Sequence, residues 1–213
     1  MQIIPTILEK DFLAAESKIR HVKDISKWIQ VDVIDGNFAN GKTFELELLN
    51  SLDQEVEDVL WEIHLMVKEP KNWISKCNFI SASRIIGQVE LMSDLDEFVD
   101  EVKNLGMEAG LGFDIETKIK NIPEETDLIL LMSRKAGFEH QEFDKRVFEK
   151  IEELKIIREE KDLHFKIGID GGINEDNIKQ LSEAGADIAC CGGAIFNGMV
   201  EDNLQRLKYA SEN

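Results

Sequence analysis

Short runs of β-branched and apolar residues recur along this chain, and the gaps between them are filled by amphipathic, helix-like stretches. That alternation limits the fold more than any other feature. The runs are Ile3–Leu8, Trp28–Val33, Leu60–Leu65, Arg84–Val89, Glu108–Gly112, Leu128–Met132, Phe165–Ile169 and Asp187–Cys191. Eight strands alternating with helices can close into a parallel barrel, since a right-handed βα series of that count leaves no sheet edge. The 213 residues fall slightly below the usual size of such a barrel and are ample for one core. No linker, low-complexity tract or tandem repeat divides them, so a single (β/α)8 domain over 1–213 is expected. An open, doubly wound sheet is the rival, but no GxGxxG follows a strand, which removes its commonest nucleotide-binding form. Two helices carry clear punctuation: Ser93 before DLDEFVDEVKNL with Gly106 at its end, and Asn174 before EDNIKQLSEA with Gly185 at its end.

Strand side chains alternate between faces, and this parity sorts the polar residues. In WIQVDV the apolar Ile29, Val31 and Val33 suit the helix-facing side, which turns Gln30 and Asp32 into the barrel. The same reasoning turns Glu62, His64 and Met66 of LWEIHLM inward, then Lys166, Gly168 and Asp170 of FKIGID, and it sets Gln88 beside Glu90 in the fourth run. Ionisable groups thus gather at the C-terminal ends of the strands, where barrel enzymes hold their catalytic residues. A purely structural network of buried ion pairs is the competing explanation.

Asp32 and Asp170 fall on the second and seventh strands, facing one another across the mouth. Two opposed carboxylates suit epimerisation: one removes the proton beside a carbonyl, and the other returns a proton to the opposite face of the planar intermediate. His64 and a divalent cation would stabilise the enediolate oxygens.

A formal net charge of −18 argues against nucleic acid or anionic lipid as a partner. Any anionic substrate must then be held by local dipoles and cations. Three cysteines, two of them the adjacent Cys190 and Cys191, form neither a disulfide framework nor a CxxC metal motif. Reduced thiols in the cytoplasm are expected. No apolar run reaches membrane-spanning length, and the N-terminal MQIIPTILEKDF lacks the features of a secretory signal.

The blocks IIPTILEKDF, VDVIDGNF, HLMVKEP, LMSRKAGFEHQEF, IDGGINEDNIKQLSEAGAD and GGAIFN occur in order over nearly the whole chain, and together they resemble the ribulose-phosphate 3-epimerase family. The resemblance implies a TIM barrel of the ribulose-phosphate-binding type. It also implies interconversion of D-ribulose 5-phosphate and D-xylulose 5-phosphate, a step of the pentose phosphate pathway, with Asp32 and Asp170 as alternating acid and base. It further implies a divalent metal ion (Zn, Fe, Mn or Co) held by Asp32, His64, Asp170 and the residue at position 30, and dimers or larger rings. For the phosphorylated ketose it implies contacts at Thr6, Met66, Met132, Gly137, Gly172, Gly192 and Gly193, the glycines gripping phosphate through backbone N–H groups.

This sequence departs from the family pattern at several positions. Gln30 stands where the family has a histidine ligand, and an amide oxygen is a weak donor to the borderline metals that imidazole prefers, so weaker zinc or iron binding or a harder ion is expected. Asn37 and Gln88 also replace histidines, Ile34 replaces a methionine, and Glu139 stands where a phosphate-facing glycine is expected. Arg134 and Lys135, just before Glu139, are placed to compensate its charge. A related aldol-type synthase or decarboxylase would carry a lysine where DVID has Val33. A sugar-phosphate-binding barrel that is either without activity or altered in specificity, such as a related epimerase of another ketose phosphate, is the remaining alternative suggested by the joint departures.

Overall fold

In the computed structural model, which describes residues 1–137 and 142–213 with the backbone alone at 53–55, each of the eight predicted runs is a strand. They are β1 (Gln2–Ile7), β2 (Trp28–Ile34), β3 (Leu60–Met66), β4 (Arg84–Gln88), β5 (Glu108–Phe113), β6 (Leu128–Met132), β7 (Lys166–Asp170) and β8 (Ile188–Cys191). All pairings are parallel, and β8 hydrogen-bonds back to β1, closing the barrel in sequence order. The helices are α1 (Phe12–Val22), α2 (Ile74–Phe79), α3 (Leu95–Asn104), α4 (Val147–Glu160), α5 (Ile178–Ala184), α6 (Gly193–Phe196) and α7 (Val200–Glu212). Among the described residues no helix is long and apolar enough to cross a membrane.

The alternation is incomplete in two places. Between β2 and β3 the chain forms a 3-10 helix, Leu46–Glu55, and residues 114–127 between β5 and β6 form no helix. The two punctuated helices exist, but their starts differ from expectation. The cap of α3 is Asp94, which accepts from Glu97 N at 3.0 Å, while Ser93 Oγ donates to Glu69 instead. Asn174 opens a turn by accepting from Asp176 N at 2.9 Å, and α5 begins only at Ile178. Asp and Asn compete for local backbone donors, which is why cap positions slide by a few residues.

Parity divides the apolar residues into two separate clusters. Ile29, Val31, Val33, Trp61, Ile63, Leu65, Ile167 and Ile169 belong to the outer cluster between barrel and helices. Ile4, Ile34, Met66, Ile86, Leu130, Met132 and Cys190 form the inner one. Lys166, assigned inward by parity, lies at the N-terminal end of β7 and reaches solvent.

Below the mouth, one interior layer is ionic. Arg84 and Glu62, both fully buried, form a salt bridge, and Arg84 Nε donates to Glu108 at 2.7 Å. The guanidinium carbon lies 4.3 Å from the centre of the Trp28 ring. The register that pairs Gln30 with Glu62, Glu62 with Arg84 and Arg84 with Glu108 brings these side chains to one level.

Candidate active site

Above that layer Asp32, His64 and Asp170 converge, and Gln30, level with Glu62, meets them from below; all four are buried. The β2–β3 register places Asp32 opposite His64, and His64 Nδ1 lies 3.0 Å from Asp32 Oδ1. Asp170, at the end of β7, brings its Oδ2 to 4.0 Å from the same nitrogen. Gln30, two residues before Asp32 on the same face, donates through Nε2 to Asp32 Oδ1 at 2.9 Å and to Asp170 Oδ2 at 2.7 Å. One amide nitrogen therefore bridges both acids.

Burial and the neighbouring Asp32 charge raise the pKa of Asp170 to about 7, against the opposing effects of His64, Gln30 and Arg134. For His64, burial disfavours the imidazolium, but the hydrogen bond and charge of Asp32 and the charge of Asp170 outweigh it, so its pKa rises. Proton sharing among closely packed groups of this kind is what acid–base chemistry near neutral pH requires.

The donor set suits a cation. Ligand atoms of Asp32, His64 and Asp170 lie within 4.8 Å of one another. Gln88 Nε2 donates to Glu90 at 3.1 Å, leaving its Oε1 facing His64 Nε2 at 3.4 Å. His64 thus presents Nδ1 to the two acids and Nε2 to the Gln88 amide oxygen. Gln30 Oε1 is buried with no hydrogen-bond partner, so reversing this amide toward a cation would break no oxygen contact.

The other expected site residues are dispersed. Gly172, Gly192 and Gly193 line one cavity with Asp170, whereas Gly137 lines another beside Ile34 and Thr43. Met66 and Met132 pack in the inner apolar cluster. Thr6 is buried, with its Oγ1 3.5 Å from Ile4 O. Asn37 is exposed and bonded to Asp35, away from the four-residue centre. Glu139 lies outside the described residues.

Two contributors escaped sequence reasoning. Asp35 ties the loop after β2 to the loop after β3, accepting from Lys68 N at 2.9 Å and from Phe38 N at 3.0 Å. Gly112, inside β5, has no side chain where Gln88 lies: a Cβ there would fall on Gln88 Oε1 and reach 3.4 Å from His64 Nε2. A lone glycine within a strand signals such a close approach.

Residues 2–196 match the model of the ribulose-phosphate 3-epimerase family. The chain is 30% identical over 201 residues to ribulose-phosphate 3-epimerase of Bacillus subtilis (strain 168), covering 92% of each protein. It is 30% identical over 211 residues to that of Aquifex aeolicus (strain VF5), covering 97% of this chain and 95% of the relative. Among solved structures, KGPDC from Streptococcus mutans superposes with a TM-score of 0.71 at 9% identity, over 99% of this chain and 97% of that one. The 3-hexulose-6-phosphate synthase from Salmonella typhimurium gives 0.66 at 12% identity, over 100% and 99%. At such low identity these two neighbours speak for the barrel alone.

Proposed function

The chain belongs to the ribulose-phosphate 3-epimerase family, and on that footing we propose that it is a metal-dependent ketose-phosphate 3-epimerase interconverting D-ribulose 5-phosphate and D-xylulose 5-phosphate. The observation that carries this reading is the approach of Asp32 and Asp170 to a single nitrogen, 2.9 and 2.7 Å away, at the barrel mouth. One ionised carboxylate removes the C3 proton and leaves a planar enediolate. The other carboxyl, protonated, delivers a proton to the opposite face of C3. In the reverse direction the two exchange roles. His64 and Gln30 hold the acids at fixed distance and shield them from water. Asp32, His64 and Asp170 would hold a divalent cation, with Gln30 Oε1 as a fourth donor once its amide reverses. Such an ion would supply positive charge to the developing oxyanions. The cytoplasm and a homo-oligomer are part of the same reading, on the strength of three free cysteines and the family resemblance.

Exchange of the C3 proton with deuterated solvent tests the proposal. Asp32→Asn and Asp170→Asn should each slow exchange by about 10²–10⁴-fold, the usual contribution of a positioned acid or base. Absence of exchange in the wild-type chain with any pentulose or hexulose phosphate, with divalent metal supplied, would end it.

The Gln30 bridge favours a second reading, a sugar-phosphate binder that does not turn over, because the amide already hydrogen-bonds both acids and fills the gap between them. Titrating manganese or zinc into the purified protein separates the two: such a binder has no need of a tight divalent site.

A further inference from the structure

The cavity bounded by Asp170, Gly172, Gly192 and Gly193 has a volume of about 610 Å³ and also contains Arg134 and Arg206. The two arginines differ in what they already hold. Arg206 donates to Asn203 Oδ1 and lies 3.5 Å from Glu175. Arg134 makes no hydrogen bond or salt bridge among the described residues, although the carboxyls of Asp170, Glu175 and Asp176 line the same cavity. Its stem crosses Gly171, where a Cβ would come 2.7 Å from Arg134 Cγ and 3.1 Å from Nε. Only a residue without a side chain leaves that path open, and Gly171 has a φ of +111° as well. Ser133 Oγ, donating to the carbonyl of Gly171, ties the start of the Arg134 loop to the same turn.

Beyond the charge it presents to Asp170, this guanidinium keeps its donors available to an anion in the cavity. Its planar fork of donors matches phosphate oxygens two at a time. On a chain of net charge −18 a phosphate dianion needs such a local cation to enter at all. We propose that Arg134 adds a side-chain contact to the terminal phosphate of the substrate. The sequence motif gives this seat to backbone groups; here a side-chain charge shares the work, offsetting the acids around it. This rests on the epimerase reading only for the identity of the sugar.

The test uses the full chain and two probes. Inorganic phosphate is titrated by calorimetry, and KM and kcat are measured with D-ribulose 5-phosphate, for wild type, Arg134→Ala, Arg134→Gln and Arg134→Lys. Loss of one charge-assisted contact should weaken phosphate binding by about ten- to a hundredfold in the Ala and Gln variants. KM should rise by a similar factor while kcat changes little, and lysine should recover part of both. The Gln variant keeps the stem packed over Gly171, so a loss it shares with Ala is not a loss of folding. Phosphate binding that is unchanged in Arg134→Ala and Arg134→Gln overturns the proposal. If wild type fails to exchange the C3 proton but Arg134→Gln still loses phosphate affinity, the epimerase reading falls and the anion seat stands.

Discussion

Gln30 Nε2 and Asp170 Oδ2 lie 2.7 Å apart across 140 residues of sequence, joining β2 to β7 at the level of the candidate chemistry. The same nitrogen holds Asp32, so the amide occupies the space between two acids where a cation would otherwise bring them together.

Replacing that amide by imidazole should change metal preference. Gln30→His is expected to bind zinc at least about tenfold more tightly than wild type, with manganese affinity changed less, because imidazole suits borderline metals better than an amide oxygen does. Competition with a chromophoric chelator measures both ions. Equal zinc affinity in the two proteins would show that residue 30 does not tune the site.

Gly112→Ala should disturb the centre from a strand that contributes no ionisable ligand to it. The added methyl collides with Gln88 Oε1 and forces that side chain off His64. Loss of an outer partner to a liganding histidine typically weakens metal binding by about 10–100-fold. The expected result is that loss with an unfolding midpoint close to wild type; unchanged metal binding would show that Gln88 does not orient His64.

Arg84 gives a prediction about stability. Arg84→Met strands Glu62 in a dry interior and should cost about 3–5 kcal/mol. Removing both charges, as Arg84→Met with Glu62→Leu, should recover most of the loss, since the one carboxylate left without Arg84, Glu108, is exposed to water. Urea unfolding of the three proteins reads the result. A double variant no more stable than the single would contradict the desolvation argument.

Asp35 supplies the pH dependence. Burial opposes its ionisation, but the Asn37 side-chain amide and the backbone N–H groups of Lys68, Phe38 and Asn37 outweigh this and hold its pKa below the ordinary value. A depressed carboxyl pKa stabilises the fold above the unfolded value of about 3.9, and the contribution disappears as pH falls through the folded value. Wild type should therefore be more stable than Asp35→Asn at neutral pH, with the gap closing below about pH 4. A gap independent of pH in urea titrations would mean that the carboxylate charge plays no part in tying the two loops.

The barrel was legible because its strands are marked by runs of Ile, Val and Leu that must face the helices, and because alternation then leaves the remaining residues one direction to point. Gln30, Asp32, His64 and Asp170 were each placed inward by that rule. What it could not supply were relations between strands distant in sequence. Nothing near Gln30 says that its amide meets Asp170, since that depends on how the closed ring brings β7 across from β2. Asn37 shows the opposite limit: it aligns with a family histidine, yet a hydrogen bond to Asp35 keeps it in the loop. The 3-10 segment Leu46–Glu55 was missed because its leucines satisfy helical spacing and say little about which hydrogen-bond pattern closes the turns.

The separation of the apolar residues into an inner and an outer cluster has an evolutionary corollary. Helices are anchored by side chains that never see the substrate, so exchanges on the barrel's inner face, such as glutamine for histidine at position 30, leave their attachment untouched. Selection can therefore rework ion and sugar preference one strand end at a time while the scaffold's foldability is carried by different residues altogether.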